Sequence, residues 1–542
     1  MADICVQERN GEDAFPNPSA QASLLTFEAP QNLTGASLPQ IRRGLARAWR
    51  LVLGSRIDEA LAAIERIELQ LDDVSSSAAE QFRAATQLLR AASLAFQDNS
   101  LAALAIALPH LEENGRNQDY HAASTLCRLG FWHLGNFDRF HSLQRPQPRW
   151  RWSKSGAVSA MLDLSMEAAV ALEHLQLTSA KRLASDALNI AKTAIKDADG
   201  LGALPASLIA EVLYEEGCLE QAEAILRDRL AVVNAESPIE CALRTYRVLS
   251  RIARHRMQYD YAAFLLREAE ALGERRGWPR LVAACMAERA SLLLQRGRTT
   301  DARVCSESLD RFVETLRPGS GYSGFEISRY RALTRWRVCR AETQSGEAAA
   351  GLRRLYYDAL EKRNVYAGCG LAVELAEALA LAGHSDEADA LFFHTVKVGA
   401  TAGLYQTFVD AGGEVGMLLR RAYQRAEVPE SSDREVLPYL GSLLSRWDKR
   451  LAGGRSSQRD NRRVSDTITA RERDILVMIS QGFSNKRTAG TLKISPETVK
   501  SHVKRIFLKL GASTRTEAVF RAGSLGLLAP GAENGPTEPL TE

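Results

Sequence analysis

A short motif recurs along this chain at intervals of 37 to 46 residues: a helix end, a tight turn, and a small residue five positions later inside the next helix. Clear copies are Gly217 with Ala222 in YEEGCLEQAEAIL, Gly297 with Ala302 in LQRGRTTDARVC, and Gly383 with Ala388 in LALAGHSDEADALF. The same offset of five places further turns at Ser55, Asp98, Gly135, Leu175, Met257 and Thr343, with Ala as the partner everywhere except Phe140. A hairpin of amphipathic helices cannot bury its apolar face alone, so such units stack on their neighbours. Ala permits close helix approach, and Gly supplies the positive φ of the turn.

Two helices in about 40 residues resemble a tetratricopeptide unit, slightly longer than the ~34 residues of the standard repeat. The expected fold class is all-α: a tetratricopeptide-like solenoid of about nine helical hairpins followed by a four-helix domain. A composition that is 45% apolar and 25% charged, rich in Ala and Leu, agrees with this. The expected layout runs from a disordered segment 1–40, through repeats over 41–427 that end on a capping helix Gln406–Ala426, to 428–466. That last stretch holds one amphipathic helix, roughly Glu435–Arg450, and a flexible basic linker. A module of short helices over 467–528 and a disordered acidic tail 529–542 complete it. No uninterrupted apolar run reaches the ~18 residues of a membrane span, and residues 1–13 lack a basic region followed by an apolar run, so a cytoplasmic location is expected. The eight cysteines occur singly, without CxxC pairs or His at ligand spacing, and read as reduced core residues; no metal or cofactor is expected.

The net charge of +3 hides an asymmetry. Residues 448–528 carry 17 Lys or Arg against 7 Asp or Glu, the tail 529–542 adds −3, and residues 1–447 therefore carry −4. A compact basic block on a near-neutral body points to nucleic acid.

That block is punctuated as short helices. Thr469 and Glu472 form a capping box ahead of Ile475, Leu476 and Ile479; Ser484 can cap a second helix through Leu492; Ser495 caps a third, with Pro496 at its first position. In the third helix Val499, Val503, Ile506 and Leu510 fall on one apolar stripe, and Lys500, Ser501 and Lys504 share the adjoining exposed face. Such a face either enters a major groove or is simply a solvated charged surface.

The stretch TARERDILVMISQGFSNKRTAGTLKISPETVKSHVKRIFLKLGASTRTEAV decides for the first reading, because it resembles the LuxR-type (FixJ/NarL-like) helix-turn-helix over about 60 residues. By position, the resemblance assigns base-edge contacts in the major groove of double-stranded DNA to Lys500, Ser501 and Lys504. Geometry and charge suggest phosphate contacts for Lys486, Thr498, His502, Arg505 and Lys509, although His502 fits a packed structural role equally well. The resemblance also implies a homodimer on DNA through the last helix, Thr514–Gly523, which opens on a second capping box at Thr514 and Glu517. Thr488, where an aliphatic residue is usual, and Gly490, in place of a good helix former, depart from the pattern.

The repeats, with the stretch AEALGERRGWPRLVAACMAERASLLLQRGRTTDA and the closing FVDAGGEVGMLL, are similar to the helical-repeat region of large MalT-like regulators. In those an ATP-binding domain precedes the repeats, whereas this sequence contains no GxxxxGK[ST] and no Gly-Lys dipeptide. The resemblance implies a transcription regulator, an activator that contacts RNA polymerase, whose repeats receive a small-molecule inducer or a protein partner and gate the helix-turn-helix. The alternative is an interaction scaffold that its basic module tethers non-specifically to nucleic acid. No catalytic residues stand out, and an enzyme is not expected.

Overall fold

The computed structural model describes residues 38–72, 77–111, 118–143, 154–194, 199–316, 322–342, 348–428, 433–450, 468–481 and 483–510, with five positions beyond (515, 518, 519, 522 and 527). Among the described residues every regular element is a helix. The chain divides into two compact units, one comprising residues up to Val170 with Thr178–Leu208 and Ala231–Cys241, the other comprising Ala171–Leu177, Ile209–Leu230 and the remainder from Ala242. The expected segments 1–40, 452–466 and 529–542 lie wholly or almost wholly outside the described residues.

Nine hairpins are present among the described residues, the first Leu38–Leu53 with Ile57–Asp72 and the ninth Val365–Leu381 with Ser385–Ala402. Their turns follow one backbone rule. Ser55, Asp98, Gly135, Leu175, Gly217, Met257, Gly297 and Gly383 all have positive φ, between 53° and 84°; Thr343 lies outside the described residues. In each turn the next N–H reaches back five residues to a carbonyl of the preceding helix, as Cys218 does to Leu213 (2.8 Å) and Gln258 to Ala253 (2.9 Å). This is the Schellman closure, in which a left-handed residue satisfies carbonyls that the helix end leaves open. Where the donating residue is Asn it also caps the following helix: the side chains of Asn99, Asn136 and Asn364 accept amide bonds from the first turn of the next helix, whereas Cys218, Gln258, Arg298 and His384 supply no such bond.

The residue five positions on is where the helices meet. Ala60, Ala103, Ala222, Ala302 and Ala388 are fully buried, and so is Phe140. Phe140 fits because its helix is short, Phe137–Ser142, and the Arg128 guanidinium lies over its ring at 4.4 Å. Arg128 is itself buried and paired with Glu167.

Two features depart from the sequence reading. A further left-handed turn at Arg363, with Gly368 five positions on, joins the eighth hairpin to the ninth. The expected capping helix Gln406–Ala426 is two helices, Gln406–Asp410 and Val415–Glu427, with Ala411 extended between them. Gly412 and Gly413, poor helix formers, stand at the break, and the Arg340 guanidinium lies against Gly412 in the space a Cβ would fill. Beyond this, residues 437–450 form the expected amphipathic helix, preceded by a 3-10 turn at Arg434–Val436.

In the second unit the first helices of successive hairpins face one another with charged side chains. Arg244 bonds Glu211 (2.9 Å), Arg251 bonds Glu288 (2.7 Å) and Arg337 bonds Glu374 (2.6 Å). Burial would raise the Glu288 carboxyl, but the guanidiniums of Arg251, Arg254 and Arg247 outweigh it and bring it down to about 2.

Candidate nucleic-acid interface

Three helices of the C-terminal module are described: Ala470–Ser480, Asn485–Leu492 and Pro496–Leu510. Each start is fixed by a side chain. Thr469 and Glu472 close a capping box on the first helix. Ser484 Oγ accepts from the Arg487 amide (3.3 Å), and Ser495 Oγ accepts from the Thr498 amide (3.0 Å). Between the second and third helices Lys493 is left-handed (φ 52°), and the Ile494 amide donates to the Ala489 carbonyl at 3.1 Å. The tight turn of the module therefore uses the same closure as the turns of the repeats. The expected capping box at Thr514 and Glu517 lies outside the described residues.

The third helix is seated by its apolar stripe. Val499, Ile506 and Leu510 are buried with Ile475, Leu476, Ile479, Ala489, Ala518 and Ala522, and the half-buried Val503 packs against the same core. A polar pair locks its orientation. Lys509 Nζ lies 2.8 and 2.6 Å from the two carboxylate oxygens of Glu472 on the first helix, while Arg471 Nη2 ties the first helix to the second by donating to the Leu492 carbonyl at 2.8 Å. Glu472 is almost fully buried. Burial pushes its carboxyl up, but the bonds from Lys509 and from the amide and hydroxyl of Thr469 outweigh that and hold it below the usual carboxylate range.

With the helix held this way, the opposite face is open. Lys500, Ser501 and Lys504 are exposed, as are Lys486, Thr498 and Arg505. None of Lys486, Lys500, Lys504 and Arg505 forms an ion pair among the described residues, so four cations face solvent uncompensated. Thr498 shares a hydroxyl contact with Ser495 (2.8 Å) beside the helix N-terminus. His502 is half-buried and its Nδ1 is enclosed without a hydrogen-bond partner. Lys509 differs from the sequence expectation, because its ammonium is engaged by Glu472 and orients the helix. Sequence reasoning does not find that pair, nor Arg471, since each links helices through positions with no fixed spacing in the chain.

Two family models match separate stretches of the chain. Residues 84–425 match the family described as the MalT-like TPR region. The chain belongs to the MalT-like TPR family. Residues 466–522 match the bacterial regulatory proteins of the luxR family, so the MalT-like repeats carry a LuxR-type helix-turn-helix. The HTH-type transcriptional regulator MalT of Vibrio campbellii is 24% identical over 340 residues, 58% of this chain and 35% of that relative, so the match spans about a third of the relative's length. Among solved structures, the Rap protein complexed with competence and sporulation factor aligns with a TM-score of 0.50 at 14% identity, over 67% of this chain and 98% of its own. That likeness shows a shared helical-repeat fold. NprR in complex with its cognate peptide NprX aligns with a TM-score of 0.42 at 10% identity, over 75% of this chain and 99% of its own. Among the described residues no helix is long and apolar enough to cross a membrane, and no group of three or more His, Cys, Asp and Glu could hold a metal ion.

Proposed function

We propose that this protein is a sequence-specific DNA-binding transcription regulator whose repeat domain governs the C-terminal module. The observation that carries the reading is the third helix of the module: its apolar stripe and the Glu472–Lys509 pair fix its orientation, leaving Lys500, Ser501 and Lys504 exposed and unpaired on the free side. A helix so presented enters a major groove, where Lys reads guanine acceptors and Ser reads either donor or acceptor. Lys486, Thr498, Arg505 and the enclosed ring of His502 flank that face and contact phosphates, which sets register without reading sequence. Lys509 acts from behind, by holding the helix. The domain layout follows: repeats over 41–427, a helix and basic linker over 428–466, and the reading module over 467–528.

The finer reading is a homodimer on pseudo-palindromic DNA through the module's last helix, acting as an activator that contacts RNA polymerase. A small-molecule inducer or a protein partner held by the repeats controls access to the module. The reading is tested on duplexes recovered by the wild-type chain from a random-sequence pool. The Lys500→Ala/Lys504→Ala double variant should keep the module's thermal transition and lose protection of those duplexes at physiological salt. Retained protection would remove the base-edge assignment, and recovery of no preferred sequence would favour a scaffold tethered non-specifically to nucleic acid.

A further inference from the structure

In a stack of hairpins each unit touches only its neighbours. The second unit departs from that rule, as where the Arg247 guanidinium of the sixth hairpin lies over the Tyr330 ring of the eighth at 5.9 Å, and most fully in one polar cluster. Residues Tyr405–Asp410, which follow the ninth hairpin, lie on the first helix of the fifth, Asp199–Glu215. The Tyr405 amide donates to the Glu215 carbonyl at 2.8 Å. The amide and hydroxyl of Thr407, 192 residues further along, donate to the Glu215 carboxylate at 3.0 and 2.9 Å. Asp410 accepts from the Tyr214 hydroxyl at 2.6 Å, and its other oxygen lies 2.6 Å from His255 Nε2 and 3.8 Å from Arg254. Tyr366 OH closes the group by donating to Glu215 at 2.6 Å.

The segment has two joints of different chemistry. Toward the ninth hairpin and the helix 437–450 the joint has an aromatic centre with guanidiniums around it: Phe408 is fully buried, edge-on to Phe392 at 5.9 Å and to Tyr439 at 6.4 Å. Arg446 lies over the Tyr405 ring at 4.4 Å, Arg450 donates to the Val409 and Ala411 carbonyls, and Trp447 covers Gly416. The other joint is polar: two carboxylates, an imidazole, phenols and a hydroxyl, drawn from Tyr214 and Glu215 of the fifth hairpin, His255 of the sixth, Tyr366 of the ninth and the strap itself. A joint of that kind is satisfied only while every partner is in place, and it separates as a set when one is lost. Burial raises the Asp410 carboxyl, but His255, Arg254 and Arg251 outweigh it and hold it well below its ordinary value, so Asp410 is a carboxylate at neutral pH.

We propose that Tyr405–Asp410 is a regulatory strap: it fastens the helix 437–450 to the fifth hairpin, and input to the repeats acts by releasing its polar joint. The helix 437–450 is the last one described before the DNA-reading module, so release frees the segment that leads into the module. The output half of this inference rests on the regulator reading above.

The test uses hydrogen exchange on the full chain. In Asp410→Asn, residues 405–411 and 437–450 should exchange about tenfold faster and together, while Pro279–Gln295 and Thr299–Thr315 keep their wild-type rates. Acceleration of the strap without the helix, or of neither, overturns the proposal. Should Asp410→Asn loosen the whole unit, the near-isosteric Thr407→Val decides: strap and helix must still lead the remainder by about threefold, and uniform acceleration overturns the strap. A parallel measurement reads output. Affinity for the duplexes recovered by the wild type should change at least threefold in Asp410→Asn; no change removes the regulatory role. A wild-type chain that binds no DNA removes the regulator reading and the output with it, while the exchange result still decides the strap itself.

Discussion

Glu472 joins two parts of the DNA-reading module through one carboxylate: it closes the capping box of the first helix, accepting the Thr469 amide and hydroxyl, and it holds Lys509 near the end of the third. Two residues on the second helix do the opposite. Thr488 is fully buried with a hydroxyl that has no partner among the described residues, and a Cβ at Gly490 would meet none of them within 4 Å. Thr488→Val and Gly490→Ala should each stabilise the module by about 1 kcal/mol, read as a rise in the urea midpoint of its unfolding. The cap and the glycine are legible in the sequence because both are local rules. The Glu472–Lys509 bond is not, since it joins residues 37 apart through the packing of two helices. A second residue-scale consequence concerns Glu215. Burial, against hydrogen bonds from Tyr366 and Thr407, raises its carboxyl from 4.5 to about 7, with Asp410 adding to the rise and Arg251 opposing it. Between those values the unfolded chain has released this proton while the folded chain keeps it. Stability from this group is therefore full at low pH, falls as pH rises through the window by up to about 3 kcal/mol, and is flat above it. The depressed Asp410 carboxyl acts in the other direction and only below its ordinary value of 3.8. Urea unfolding at about pH 5 and about pH 7.5 should show the fall in wild type and a reduced one in Glu215→Gln.

At the scale of the element, each hairpin is marked by a backbone state rather than by a residue. Glycine announces that state at 135, 217, 297 and 383, whereas Ser55, Asp98, Leu175 and Met257 adopt it without glycine's freedom. The sequence exposes those four through the Ala five positions later, because the burial that demands a small residue survives when the turn residue varies. Arg363 escapes the pattern because its partner is Gly368 and the spacing falls between hairpins. The break in the capping helix is a different case: Gly412 and Gly413 mark it locally, while the Arg340 guanidinium that occupies the space beside Gly412 comes from a distant helix. Conformation and space can be separated experimentally at two of these turns. A Cβ at Gly297 would meet nothing within 4 Å, so Gly297→Ala should cost about 1–2 kcal/mol from backbone alone. At Gly217 the Arg446 guanidinium already fills that space, so Gly217→Ala should cost more and should also loosen the helix 437–450. Thermal unfolding ranks the two; equal losses would mean that Arg446 yields freely.

For the whole molecule, the charge asymmetry of the sequence translates into a salt law. Lys486 and Arg505 are exposed and unpaired, so replacing either with Ala should weaken binding to all duplexes alike and reduce the slope of log affinity against log salt by about one. Lys500→Ala should instead flatten the preference among sequences, and a titration series over salt distinguishes the two outcomes. The strap carries a different consequence, for the order in which the chain assembles. Contacts within a hairpin close loops of a few residues and form early, whereas the bonds from Thr407 to Glu215 close a loop of 192 residues. Refolding should therefore be biphasic, with helix content returning first and burial of Tyr405 and Trp447 following in a slower step that Asp410→Asn abolishes. A growing chain that has emerged only as far as its fifth hairpin holds the buried carboxylate of Glu215 without the partner that satisfies it, and completing the fold waits on the arrival of the strap.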